Sequence, residues 1–290
     1  MIERSFNLPI RAKSTPKAGP PLGEGFAGAR SKGPSVTTFE PGQVQDLRAR
    51  LAEACRILGI LGLASGNTGH LSVRVPDSDN LLIRARGPSE AGVRYTTPAE
   101  IIEVTPDGEV AGGVKDGLFP PQEVFIHTEV YRARSDVMSV VHVHPPAIVL
   151  FTIVDLPLLP IFGAYDPSAL KMATEECPTY DRSVLISNAH LGHELAATLG
   201  SKSACLMRGH GITATGTSIE EASLRAISLN ELAEMNYKAR LLGTPRPISD
   251  EDLAVFAPMM GGGAPEKPIS SNRTGAMWRY YQKLTNSSEF

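Results

Sequence analysis

Cysteine is scarce in this 290-residue chain: only Cys55, Cys177 and Cys205 occur. None has a neighbour at CxxC spacing, so the sequence encodes neither a thiolate metal site nor a disulfide framework, and a reducing, cytoplasmic compartment is expected. Long apolar runs are missing as well. The longest, around Val137 to Val143 and Ile148 to Ile153, fall far short of the roughly 20 residues that a membrane span needs. No excess of charge exists either: 28 Lys and Arg against 31 Asp and Glu leave a net charge of -3. That balance supplies no basic field for a phosphate backbone, so no nucleic-acid partner is expected. The N-terminus carries Arg4, Arg11, Lys13 and Lys17 but no uninterrupted apolar stretch, which argues against a secretory signal peptide.

What is present suffices for one large core, since 42% of the chain is hydrophobic. Residues 1–41, rich in Pro, Gly, Ser and Lys, read as an extended or disordered arm. Residues 42–243 form the expected catalytic domain. Residues 244–290 turn Pro-rich and then Gly-rich, which predicts an irregular tail. Its aromatic cluster Trp278, Tyr280 and Tyr281 would pack on the domain or a neighbouring subunit, or cover the site as a lid.

Within the domain, the stripe Val44, Leu47, Leu51, Ala54, Leu58 predicts a helix ending near Gly62 to Gly66. Alternation over His70 to Val75 and Leu81 to Arg86 predicts a hairpin, and Ile101 to Thr105 with Glu109 to Ala111 a second. Helical spacing returns over Gln122 to Arg134, followed by a buried strand over Val137 to His144. A short helix is expected over Ile148 to Val154, and a helix capped by Asp166 over Ser168 to Ala173. Strands are expected at Leu158 to Phe162, Ser183 to Ser187, Ala204 to Arg208 and Gly211 to Ala214. A helix over Leu191 to Leu199 and a long one from Ser218 to about Leu242 complete an α/β layer architecture.

Chemistry concentrates in four residues. His142 and His144 are two apart on a strand, so both imidazoles project to one face at a spacing that can chelate an ion. His210 lies between glycines that let the backbone turn tightly. Glu123 and His127 are spaced i, i+4 on a helix and can face the same place. Three imidazoles leave coordination positions open, and a divalent cation there can polarise a carbonyl or stabilise an enolate. Zinc is the expected ion, one per chain, with manganese, cobalt or iron(II) as alternatives. His70, His190 and His193 have no partner at ligand spacing and read as structural or exposed.

With these residues assembled, the stretch from Gln43 to Leu242 resembles the class II aldolase/adducin family. The resemblance rests on Gly66-Asn67-Thr68-Gly69 before a strand, Glu123 before a helix with His127, the HVHP motif ending at Pro145, Tyr180 after Pro178, and RGHG before the last long helix. It implies a three-layer α/β/α fold with a mainly antiparallel sheet, and a homotetramer with active sites at subunit boundaries. It also implies that His142, His144 and His210 hold the metal, that Glu123 is acid/base or also touches the metal, and that Tyr180 donates a proton across a boundary. His127 would lie near the site.

Two departures bear on substrate. Where sugar-phosphate members carry two small hydroxyl residues before the acidic residue, this chain has Pro121 and Gln122. In place of the other phosphate loop stand Arg84, Arg86, Gly87, Pro88 and Ser89, and arginine suits a carboxylate. The pattern resembles the branch of dihydroxyphthalate and pyridine-dicarboxylate decarboxylases, and implies that Asn67, Arg84, Arg86, Ser89 and His127 surround a small-molecule carboxylate. The alternatives are an aldolase or epimerase acting on a small hydroxycarbonyl compound, a non-haem iron oxygenase acting on an aromatic acid, and a non-catalytic adducin-like module.

Overall fold

A computed structural model describes residues 41–260 and 268–286. The expected N-terminal arm lies, but for its last residue, outside them. Helix α1 (Pro41–Ile60) buries Leu51, Ala54, Cys55 and Leu58 completely. It stops where Gly62 takes a left-handed φ of 74°, which lets the Leu63 amide donate back to the Leu58 carbonyl at 3.0 Å. Strands β1 (His70–Arg74) and β2 (Leu81–Arg84) form the expected hairpin, with Ser72 opposite Ile83. β3 (Ile101–Val104) pairs with the far side of β2. The expected return arm at Glu109 to Ala111 shrinks to one bridge between Val104 and Val110, because Gly112 and Gly113 are both left-handed and end the extended chain.

Helix α2 (Val124–Ala133) leads into β4 (Ser139–Val143), which pairs with β1. Helices α3 (Pro146–Val154) and α4 (Pro167–Thr174) follow, then the short β5 (Thr179–Tyr180), α5 (Ala189–Leu199), β6 (Ala204–Met207) and β7 (Gly211–Gly216). The Asp166 carboxylate caps α4 by accepting the Ser168 and Ala169 amides. Helix α6 (Ile219–Leu242) starts on Ser218, whose hydroxyl accepts the Glu221 amide at 3.1 Å. Glu221 reaches back to the Thr217 amide rather than to Ser218, a capping box displaced by one residue.

The seven strands run in the order β3-β2-β1-β4-β7-β6-β5, antiparallel at every pair except β5 with β6. Strand alternation sends Leu71, Val73, Val141, Val143, Ile212 and Ala214 into a core shared with α1, α3, α4 and α6. The opposite face sends Ile83, Val140, Cys205 and Met207 against Ile126, Val130 and Leu195 of α2 and α5. The result is the three-layer α/β/α arrangement, and the chemistry lies on the α2/α5 side of the sheet.

Three expected elements differ. Leu158 to Phe162 is not a strand, because the buried Asn236 side chain accepts the Leu159 amide and donates to the Leu159 carbonyl, both at 3.0 Å, in place of a ladder partner. Ser183 to Ser187 is not a strand either; the Ile186 amide turns inward to Glu123, and β5 takes the sheet edge instead. The tail is irregular only over residues 244–249 among those described; beyond them α7 (Asp250–Met260) and α8 (Pro268–Asn286) form. Buried Trp278 inserts into the core beside α1 and α6, and Gln282 donates to Glu53 at 2.8 Å, so burying the aromatic face favours a helix that the local sequence did not announce.

Candidate metal centre

His142 is the fourth residue of β4, and its Nδ1 donates to the Ile212 carbonyl at 3.0 Å across the β4–β7 pair. That bond fixes the tautomer, so the neutral ring presents a bare lone pair at Nε2. His144, just past the strand end on the same face, brings its Nε2 to 2.8 Å from His142 Nε2. His210 stands on the turn between β6 and β7, where Gly209 is left-handed (φ 58°). Its amide donates to the Met207 carbonyl at 3.1 Å. The turn is pressed against His144: a Cβ on Gly211 would lie 2.3 Å from the Val143 carbonyl oxygen and 2.8 Å from His144 Cδ2. Only glycine fits so close an approach.

Glu123 sits at the N-terminus of α2. Its Oε1 accepts the Ile186 amide at 3.0 Å, while Oε2 faces His142 Nε2 at 3.6 Å and His210 Nε2 at 3.5 Å. One donor atom from each of Glu123, His142, His144 and His210 lies within 4.8 Å of the others. Nitrogen and oxygen ligands stand about 2.0–2.2 Å from a zinc-like ion, so adjacent ligand atoms sit about 2.9–3.5 Å apart. The three short spacings, 2.8, 3.5 and 3.6 Å, lie within about 0.1 Å of that range, and the widest separation in the set stays within 4.8 Å, so small side-chain shifts close the four donors on one ion. Burial also pushes the pKa of His144 down to about 3 and lowers that of His142, which keeps both rings in the neutral form that binds a cation. Burial would raise Glu123, but contacts from His142, His210 and His70 outweigh it and hold the carboxyl well below its usual range. The residues therefore fit a divalent cation: three imidazole nitrogens and one anionic oxygen, pre-assembled in a largely buried pocket.

His70 escaped the sequence reading. It is opposite His142 in the β1–β4 register, 1% exposed, with its ring centroid 4.9 Å from that of His142. The signal available was its parity with Ser72 on β1, although the partner strand lies some seventy residues away. His127, expected near the site as an orienting residue and grouped with those around the substrate, is fully buried behind His70. Its Nε2 is 2.7 Å from His70 Nδ1 and its Nδ1 is 2.6 Å from Ser72 Oγ. Both ring nitrogens are engaged, so His127 supports the site from behind.

Arg84 is corrected for a similar reason. It is 2% exposed, and its guanidinium donates to Thr96 Oγ1, the Asn67 and Gly69 carbonyls, and Glu90. It fastens the loops together. Arg86 differs, since its side chain keeps 28% exposure. Its Nη1 donates to Glu90 at 2.6 Å and to the Asn67 carbonyl, and its charge contributes to lowering the pKa of His70. Among the described residues the other edge of its guanidinium makes no hydrogen bond. Asn67 and Ser89 are exposed beside it. Tyr180 is buried and its hydroxyl donates to Glu194 at 2.8 Å, so within one chain the hydroxyl is engaged by Glu194 rather than by the four-residue cluster. His190 and His193 are exposed.

A family model for the class II aldolase and adducin N-terminal domain matches residues 49–237. The chain is 40% identical over 235 residues, 80% of its length and 94% of the relative's, to a 3,4-dihydroxyphthalate decarboxylase from Terrabacter sp. (strain DBF63). It is 37% identical over 239 residues, 82% of its length and 95% of the relative's, to a 3,4-dihydroxyphthalate decarboxylase from Rhodococcus jostii (strain RHA1). Among solved structures, L-fuculose 1-phosphate aldolase from Glaciozyma antarctica PI12 superposes with a TM-score of 0.70 at 22% identity, covering 88% of this chain and 95% of that one, a likeness of fold.

Proposed function

Since the chain belongs to the class II aldolase and adducin family, we propose that this metal-dependent lyase is a decarboxylase of a hydroxylated aromatic dicarboxylate of the 3,4-dihydroxyphthalate type. The observation that carries the reading is the convergence of His142, His144 and His210 on Glu123 in a chain so similar to two such decarboxylases. When bound, a divalent cation, with zinc the first choice, supplies Lewis-acid stabilisation for the negative charge that develops on the substrate's hydroxyl oxygen.

The chain's own residues carry the rest. Held ionised and oriented by the Ile186 amide, Glu123 takes the proton of the hydroxyl ortho to the departing carboxylate and returns it to the ring carbon that bears that carboxylate. Carbon dioxide then leaves, and the electrons of the broken carbon–carbon bond restore the aromatic ring; one carboxylate and one proton become one hydrogen and one carbon dioxide. Arg86 offers its open edge to the carboxylate that stays, with Asn67 and Ser89 beside it. In this reading Tyr180 acts as proton donor only across a subunit boundary, its own hydroxyl being bound to Glu194.

A homotetramer is supported by α3, which follows His144 directly and exposes Leu150, Ile153 and Val154, an apolar surface of the kind partner subunits cover. A cytoplasmic setting is supported by Cys55, Cys177 and Cys205, all free thiols. Among the described residues no helix is long and apolar enough to cross a membrane. The test is to supply 3,4-dihydroxyphthalate to the metal-loaded protein and measure carbon dioxide, dihydroxybenzoate and oxygen. Stoichiometric carbon dioxide and dihydroxybenzoate without oxygen uptake support the proposal. Oxygen consumption would favour an oxygenase, and cleavage of hydroxycarbonyl compounds without carbon dioxide an aldolase.

A further inference from the structure

Behind Glu123 lies a line of buried polar groups that the mechanism above does not use. Tyr131 OH is 2.8 Å from Ser72 Oγ, Ser72 Oγ is 2.6 Å from His127 Nδ1, and His127 Nε2 is 2.7 Å from His70 Nδ1. His70 Nε2 then points at Glu123 Oε2 from 3.9 Å. The four residues are 0–6% exposed, so none can exchange these partners for bulk water.

The protons in this line can run in only one of two directions, and two ends select between them. A neutral histidine donates from one ring nitrogen and accepts at the other, and the short His70–His127 and His127–Ser72 contacts each need one donor and one acceptor. Were the line to run outward from His70 to Tyr131, His70 would turn a lone pair on the Glu123 carboxylate. The Tyr131 hydroxyl hydrogen would also be left without a side-chain acceptor, since Ser72 Oγ is the one side-chain partner the hydroxyl has among the described residues, and its backbone contact with Val140 lowers the tyrosine pKa as a donor to the oxygen does. Running inward, Tyr131 donates to Ser72, Ser72 to His127 Nδ1, His127 Nε2 to His70 Nδ1, and His70 presents an N–H to the carboxylate. Every donor within the line then has an acceptor, and the His70 N–H faces the carboxylate from 3.9 Å, an electrostatic approach longer than a hydrogen bond.

We propose that His70 is a positioning residue for Glu123, and that the one-way chain Tyr131–Ser72–His127 fixes it as the tautomer whose Nε2–H faces the carboxylate. Ile186 secures Oε1 by a hydrogen bond, and the His70 N–H attracts Oε2 from the side of the sheet, which biases the carboxylate that moves the substrate proton toward one orientation. The catalytic part of this inference rests on the decarboxylase reading; the tautomer assignment does not.

Two arms test it. In metal-loaded protein carrying 15N-histidine, both His70 and His127 should show a protonated Nε2 and a bare Nδ1, and Ser72→Ala should disturb the signals of His70 as well as those of His127. A protonated Nδ1 on His70 would overturn the proposal whatever the substrate is. In the second arm, Tyr131→Phe and Ser72→Ala should keep one metal per chain while kcat falls about 10-fold and KM stays within about 2-fold, the size of effect typical of groups that orient a ligand shell. His70→Gln, which keeps an N–H near the Nε2 position, should retain more kcat than His70→Asn, which keeps one only near Nδ1. Equal loss in the two His70 variants, or a change in KM alone, would reduce the chain to a structural role. Absence of any turnover by the parent protein would count against the decarboxylase reading, leaving the NMR arm to decide the tautomers.

Discussion

Replacing Gly211 by alanine tests how closely the metal centre depends on the contact between β4 and β7. The backbone φ of Gly211 is ordinary, so space alone demands glycine: the new methyl would lie 2.3 Å from the Val143 carbonyl oxygen and 3.1 Å from His144 Cα. Carbon and oxygen need about 3.3 Å, so about 1 Å must come from somewhere. The strands are tied by their ladder and by His142 Nδ1 on the Ile212 carbonyl, which leaves His144, past the last ladder pair and held by its amide on the Leu63 carbonyl, to move. Overpacking of this kind costs about 1–3 kcal/mol, and each kcal/mol lowers Tm by about 2–4 °C in a domain of this size. A shift of about 1 Å also exceeds the roughly 0.5 Å tolerance of a ligand constellation, so metal affinity should fall about 10–100-fold. Chelator competition on wild type and Gly211→Ala measures it, with Gly163→Ala, whose methyl would meet the Phe256 ring at 2.5 Å, as the control that loses stability without losing affinity. A Gly211→Ala protein that binds metal as tightly as wild type would refute the reasoning.

Trp278→Ala should cost about 3–5 kcal/mol, read as a large drop in Tm with unchanged metal content, because α8 buries that ring in the main core; a loss under about 1 kcal/mol would mean that α8 is not docked. Arg86→Gln should raise KM for a dicarboxylate about 10–100-fold, matching the loss of a charge-assisted hydrogen bond of about 1.5–3 kcal/mol, while kcat stays within about 3-fold; a fall confined to kcat would place Arg86 elsewhere in the reaction. Acid should destabilise the metal-stripped protein from near neutrality downward. The folded-state values of His70 and His144 are pushed from 6.5 to about 3, so below pH 6.5 the unfolded chain takes up protons that the folded one refuses, and stability is lost progressively toward pH 3. Glu123, held ionised, adds to the loss below its ordinary value of 4.5. Thermal melts at pH 7 and pH 5 check this, and equal midpoints would contradict it.

What the sequence displayed depended on how locally the physics acts. The pair His142 and His144 declares its shared face by strand alternation alone, and Asp166 and Ser218 announce helix starts through bonds spanning two or three residues. The same logic failed wherever the deciding partner was distant. Leu158 to Phe162 has the composition of a strand, yet Asn236, 77 residues on from Leu159, takes its hydrogen bonds. Arg84 and Arg86 look equivalent two residues apart, but one is enclosed by the Asn67 to Gly69 loop and Thr96 while the other clears the strand end. His70 and His127 become neighbours only when β1 and α2 meet across the α2/α5 side of the sheet. The aromatic cluster around Trp278 announces that the tail packs on something, but not that this ring joins the core built by α1 and α6.

The central claim is that His142, His144 and His210 with Glu123 hold a metal ion that the reaction requires. Elemental analysis of protein purified without chelator, comparing wild type with His144→Ala, addresses it most directly. The account predicts about one divalent ion per chain in the wild type, consistent with four donors closing on a single ion, and its loss in the variant together with activity. Wild-type protein that takes up no metal even on reconstitution, or His144→Ala protein that keeps its ion and its turnover, would contradict it.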